Sequence, residues 1–184
     1  TITGAGEVVA VWGASDKGGN APSGGIWTAS SADYGTSWSA PQRIEAGSCY
    51  WPSDVDATLE GQVAVLAWCG YPSVATLIRR DAQGQWQPAT RVPEALGNMG
   101  ALRVVGNGED AQLVALTTSF TPLAPEPRSL TVVRQPLAGG APIITEVPYP
   151  VDTGGGMPYR HHGLRFVRTV NGEAQEGWQG TCAS

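Results

Sequence analysis

Charged residues are scarce in this chain. Asp, Glu, Lys and Arg make up 15% of its 184 residues, against 41% apolar residues. A disordered chain has the opposite balance, so a folded domain with its own hydrophobic core is expected. The 11 Lys and Arg residues form no dense cluster and the formal net charge is −5. A basic patch for nucleic acid is therefore excluded. No apolar run approaches the roughly 18 residues that span a bilayer, so no transmembrane segment is expected in this chain. No charged-then-apolar leader opens the sequence, a feature that a mature exported product would also lack. Cysteine is sparse: Cys49, Cys69 and Cys182, with no CxxC pair. That disfavours a zinc site or a thioredoxin-like motif. The odd number leaves one pair plus a free thiol, or a bond to another chain, in an oxidising compartment. Sustained 3.6-residue periodicity is missing as well, which argues against long helices.

Turn formers are abundant, with 25 Gly and 14 Pro. Between them lie short apolar segments rich in β-branched and aromatic residues, the signature of strands. Strands are predicted over 7–14, 25–30, 39–45, 53–59, 63–69, 74–80, 87–92, 102–106, 112–119, 129–135, 143–147 and 163–169. Tight turns are expected at Glu60-Gly61-Gln62, Gly108-Glu109-Asp110 and Asn171-Gly172-Glu173. Many short strands with regular turn signals imply an all-β sandwich, barrel or propeller.

A repeat narrows the choice. Asp33 and Asp81 stand 48 residues apart, as do Trp38 and Trp86, and a Pro follows each Trp at Pro41 and Pro88. The strand at 8–12 (VVAVW) resembles that at 63–68 (VAVLAW), and 112–116 (QLVAL) is a third copy. A period near 50 with four strands per period fits propeller blades.

Ser31-Ala32-Asp33-Tyr34-Gly35-Thr36-Ser37-Trp38 has the pattern S-x-D-x-G-x-x-W. It resembles the Asp box, or BNR repeat, of sialidases and related β-propellers. The copy at Asp81, Gly84 and Trp86 is degenerate, lacking the Ser and with its Gly displaced by one; the third repeat has Gly139-Gly140 and no box. The resemblance is strongest over 6–93. It implies an all-β propeller of four-stranded antiparallel blades, with segments at about 6–46, 53–93, 101–150 and 161–184. About three blades would be present, the first without its inner strand, as part of a six-bladed or larger ring. An open ring exposes strand edges and apolar faces, so the rest of the propeller or another polypeptide is the expected partner.

The box residues suit structural work. A short carboxylate caps turn N–H groups, Gly permits positive φ, and the Trp is expected to bury its ring between layers. In an up-and-down meander the box turns share one face, and loops on the opposite face are the expected binding surface. Those loops hold Tyr50, Trp51, Tyr71, Arg128, Tyr159, Arg160, His161 and His162, a set suited to a glycan or a protein surface. For Trp51 the favoured reading is a plug in the gap between blades, since Trp is usually largely buried. Asp54 and Asp56 share one side of a strand. They are either a carboxylate pair or, the favoured reading, solvated residues at a channel mouth. Adjacent His161 and His162 point to opposite sides of an extended strand; with no third ligand at useful spacing, no metal site is expected. Nothing calls for a cofactor. Pairing across 59–63 puts Cys69 opposite about Ser53, with Cys49 just beyond, and a Cys49–Cys69 disulfide is expected.

Sialidase-like catalysis, as the resemblance implies it, needs an arginine triad, a Tyr nucleophile with a Glu partner, and an acid/base Asp. No Arg-Ile-Pro element precedes the first box. Only Arg128, Arg160 and Arg165 are remote triad candidates, and Tyr159 has no recognisable Glu partner. The expectation is a non-catalytic extracytoplasmic module, a scaffold or a recognition surface; the alternative is a fragment of a sialidase-like glycoside hydrolase.

Overall fold

The computed structural model describes residues 1–14, 24–47, 49–70, 74–96, 100–106, 108–118, 129–148, 168–170 and 173–175. Strands β1 (Val8–Ala14), β2 (Gly25–Ser31) and β3 (Gln42–Ile44) form a first sheet. Strands β4 (Cys49–Ala57), β5 (Val63–Cys69), β6 (Val74–Arg80) and β7 (Thr90–Leu96) form a second. A third contains β8 (Gly100–Val105), β9 (Gln112–Thr118), β10 (Ser129–Pro136) and β11 (Ile143–Pro148), and β12 (Arg168–Val170) pairs with β13 (Glu173–Gln175). Each sheet is an antiparallel meander in chain order. The fold is all-β. Among the described residues the three sheets stack in a row and form no closed ring.

The stacking follows from the alternation of side chains along β5. Val63, Val65, Ala67 and Cys69 face the first sheet and pack with Val9, Ile26 and Ile44. Ala64, Leu66 and Trp68 face the third and pack with Leu102, Leu113, Ala115 and Val133. Covered on both faces, β5 is buried along its whole length, which explains why its sequence is an unbroken apolar run. In β9, by contrast, Leu113, Ala115 and Thr117 are buried against the second sheet while Val114 and Leu116 are half-buried. The edge strands β1, β4 and β8 lie next to one another, since β4 touches both of the others. Glu7 and Arg80 form an ion pair at 2.6 Å that ties the start of the first sheet to the end of β6.

Several boundaries depart from expectation. Strand β3 is shorter than 39–45: Pro41 has no N–H to donate, and the Ser39 N–H closes the hairpin on the Ser30 carbonyl. Strand β7 begins after Pro88 and not at Gln87, because the Gln87 N–H is used by the Arg79 carbonyl. Strand β4 starts at Cys49 and not at Ser53. Two register shifts, between Cys49 and Trp51 and between Pro52 and Asp54, let it run past Pro52. They also correct the cysteine register: Cys49 stands directly opposite Cys69, and the two form a disulfide. Of the strand expected over 163–169, only residues 168–169 fall within the described residues, and they belong to β12.

The first sheet was expected to lack an inner strand altogether. Instead Ile2 bridges Val8, with hydrogen bonds both ways between Thr1 and Val9. The turn leading into β1 also has a counterpart in the second sheet. Thr3 N–H bonds the Glu7 carbonyl and Gly6 N–H the Thr3 carbonyl; Thr58, Gln62 and Gly61 make the same pair of bonds 55 residues later. The two turns pack tightly: a Cβ on Gly4 would lie 2.3 Å from the Leu59 carbonyl oxygen.

Candidate functional site

The turn between β2 and β3 is organised around Asp33. One of its carboxylate oxygens accepts the Ser37 N–H (2.8 Å) and the Ser31 hydroxyl (2.7 Å), and the other accepts the Ser37 hydroxyl (2.7 Å). The Ser31 hydroxyl in turn accepts the Gly35 N–H at 2.8 Å. Tyr34 and Gly35 adopt positive φ of 56° and 91°, which reverses the chain. Every acceptor of the Asp33 side chain is thus directed at its own turn. The hydroxyl and N–H of Ser37, then the hydroxyl of Ser31, lower the Asp33 pKa to about 2. A carboxyl depressed in the folded state adds stability above its unfolded value of 3.8, and that contribution is lost as pH falls through about 2. A carbon-13 titration of the Asp33 carboxyl is expected to show a midpoint near 2, and Ser37→Ala to raise it. A midpoint in the ordinary carboxylate range in the unaltered protein would remove this account of the turn.

Trp38 corrects an expectation. Its ring is 47% exposed and not buried between layers. The indole N–H donates to the Gly35 carbonyl at 3.2 Å, folding the ring over its own turn. Trp86, at the same place in the degenerate copy, is half-buried against the core between the first two sheets. That copy keeps the carboxylate logic despite its altered sequence. Asp81 accepts the N–H groups of Gln83 and Gln85 at 3.0 and 2.8 Å, and the Gln87 amide replaces the Ser37 hydroxyl at 2.9 Å. Gly84 supplies the positive φ. In the third sheet Gly139 and Gly140 make the corresponding turn, again with positive φ.

Of the expected binding face, Tyr71, Arg128, Tyr159, Arg160, His161 and His162 lie outside the described residues, as does Cys182. Tyr50 takes its place in the backbone of β4 at the first register shift. Trp51 is 65% exposed, so it does not plug a gap; the shifts that flank it turn β4 locally out of regular pairing. Among the described side chains of that set, Trp51 is thus presented to solvent. It sits two residues from Cys49, whose disulfide to Cys69 closes the end of the β4–β5 hairpin.

Asp54 and Asp56 are neither a free carboxylate pair nor solvated groups at a channel mouth. Each bridges two strand edges. Asp54 accepts the Val55 N–H on one oxygen and the Leu102 N–H on the other, at 2.9 and 2.8 Å. Asp56 does the same with Ala57 and Val104, at 3.0 and 2.8 Å. The Arg103 guanidinium adds an ion pair to Asp54 at 3.2 Å, and the Ser53 hydroxyl donates to the Gly100 carbonyl at 3.0 Å. Both carboxylates thus serve N–H groups on the edge of β8 that β9 leaves unpaired. Each reaches a partner 48 residues ahead, the spacing of the box repeat.

Two groupings were not anticipated. On the face of the first sheet turned away from the second, Trp12 stands directly opposite Trp27, and Trp27 opposite Arg43. Their signal lay in the strand register, which the sequence pattern left open. The second grouping is a cleft of about 490 Å³ between the second and third sheets, lined by Gln62, Arg79, Gln87, Thr90 and Leu137 among others. It opens beside the Asp81 turn and not on the expected binding face. Among the described residues no cluster of His, Cys, Asp and Glu could hold a metal ion, and no helix is long and apolar enough to cross a membrane, which says nothing of a β-barrel. No protein-family model matches this chain, and no curated protein matches it.

Proposed function

We propose that the chain is a consecutive run of blades from a β-propeller, acting as a non-catalytic, extracytoplasmic scaffold or recognition module within a larger protein or complex. The observation that supports this best is the docking of β4 on β8, where side chains of one sheet bond backbone groups 48 residues ahead in the next. A stacked repeat with a constant spacing between edge strands is what blades around a common centre require. The Asp33 and Asp81 turns add the box chemistry at that spacing, and both carboxylates are engaged by their own hairpins. The disulfide is compatible with an oxidising compartment. Exposed Trp51 is part of the proposed contact surface for a glycan or a protein.

The test is native mass and small-angle scattering of the purified material, with and without reductant. An assembly larger than 19.1 kDa with a disc-like profile is expected, because half-covered sheet faces and free edges favour association. A stable, compact monomer of that mass would overturn the propeller reading. Hydrolysis of a fluorogenic sialoside by the same material would replace the binding module with the glycoside hydrolase alternative.

A further inference from the structure

The box-turn end of the first two sheets carries large apolar side chains in solvent. Tyr34 is 79% exposed, Leu59 67% and Trp38 47%. These side chains are neighbours. The Tyr34 ring lies against Gly6, where a Cβ would sit 3.0 Å from its hydroxyl oxygen and 3.2 Å from Cζ. Gly4, two residues earlier, abuts the Leu59 backbone, and exposed Ala5 stands between the two glycines. Trp38 folds over Gly35, the residue next to Tyr34. Single exposed apolar groups need no explanation, but a contiguous set marks a contact surface. The backbone adds a second sign. Tyr34 has a φ of 56°, in the left-handed region that Gly fills freely and a bulky residue enters at a cost. The turn therefore holds a large ring out into solvent where a small residue would fit more easily.

The charges around this patch have one sign. The β4–β5 and β8–β9 turns lie at the same end, because Asp54 and Asp56 on β4 meet Leu102 and Val104 on β8 in the same order along both strands. The turns of this end contain Glu7, Asp33, Glu60, Asp81, Glu109 and Asp110. Residues 3–7, 32–41, 58–62, 81–89, 106–111 and 137–142 contain no Lys or Arg. At the end of β6, Arg80 is paired with Glu7, and Arg79 is half-buried beside the cleft between the second and third sheets. Glu60, Glu109 and Asp110 are exposed, and none of them forms an ion pair among the described residues.

We propose that this end docks a basic polypeptide segment in which apolar side chains alternate with Lys or Arg. Its apolar groups cover Leu59, Tyr34 and Trp38, and its cations lie over the two rings and beside Glu60. Aromatic faces attract cations, and an acidic rim speeds encounter with a basic partner. An acidic partner is repelled, and a neutral glycan leaves the carboxylates without counter-charge. The patch lies at the opposite end of β4 from Trp51 and is built by the first two sheets alone. It therefore goes beyond the surface proposed around Trp51 and does not rest on ring closure.

The test is titration of the full chain with short synthetic peptides that alternate Lys and Leu, Glu and Leu, or Lys and Ser. Binding is followed by calorimetry and by backbone amide resonances. The Lys–Leu peptide is expected to bind saturably and to shift the amides of Tyr34, Gly35 and Leu59. The Glu–Leu peptide should not bind, and the Lys–Ser peptide should bind at least about 10-fold more weakly. Tyr34→Asn should lower affinity for the Lys–Leu peptide by about 10-fold or more, the loss of an aromatic anchor. Asparagine tolerates the left-handed φ, so the turn is retained. Glu60→Gln should weaken binding less and flatten its dependence on salt. Should Tyr34→Asn fail to fold, Leu59→Ser, with the same expected loss, and the unaltered chain decide the matter. Equal binding of the Glu–Leu and Lys–Leu peptides, or of the Lys–Ser and Lys–Leu peptides, overturns the proposal. So does the absence of a saturable shift at Tyr34. Shifts confined to the Trp51 end overturn it while supporting the contact surface proposed there, so the two readings fail separately.

Discussion

Replacing Asp54 and Asp56 together with alanine is expected to destabilise the fold by about 2–6 kcal/mol, at ~1–3 kcal/mol for each of the two β8 N–H groups, Leu102 and Val104, left without its acceptor. That is a large share of the roughly 5–15 kcal/mol of a typical domain. The loss should be local in a way that identifies its cause. The Leu102 and Val104 N–H groups, which the two carboxylates accept, should exchange with solvent much faster than those of β9. Asparagine at the same positions should cost less, because one carbonyl oxygen remains to accept from either strand edge but not from both. Unfolding in urea and amide exchange by mass spectrometry give the two readouts. Unchanged protection at Leu102 and Val104 in the alanine variant would show that the carboxylates do not hold the sheets together.

Loss of the Cys49–Cys69 bond is the second large effect. The disulfide spans 20 residues and joins both ends of the β4–β5 hairpin. Both cysteines are buried in the core between the first and second sheets. Closing a loop of that length removes about 3 kcal/mol of freedom from the unfolded chain. The Cys49→Ser, Cys69→Ser double variant should therefore melt roughly 6–12 °C lower, at 2–4 °C per kcal/mol for a chain of this size. Reduction of the unaltered protein should approach the same midpoint. Alkylation of the denatured, unreduced chain should leave Cys49 and Cys69 unlabelled; labelling of both would remove the bond and this prediction with it.

Local chemistry was legible in the residues. The Asp33 and Asp81 turns, the Gly positions that reverse the chain and the apolar strand copies each depend on neighbours a few residues away. Short-range hydrogen bonding and side-chain alternation suffice to specify them. The disulfide pairing was readable in the same way, from one hairpin, although its register was not. Two β-bulges around Tyr50 and Ser53 moved Cys49 into line with Cys69, and no pattern in 49–57 announces an irregularity that arises from fitting Pro52 into a paired strand.

What the sequence alone determined is therefore an all-β chain of repeating hairpins with carboxylate-capped turns. Only the tertiary structure decided what the long-range groups do. Asp54 and Asp56 look like any solvated pair on one side of a strand until β8 is placed against them. Trp38 and Trp51, large aromatic groups that composition would bury, lie at surfaces because no neighbouring sheet covers them among the described residues. Each of these roles depends on an element tens of residues away, and the distance that matters is set by how sheets pack, which no local pattern encodes.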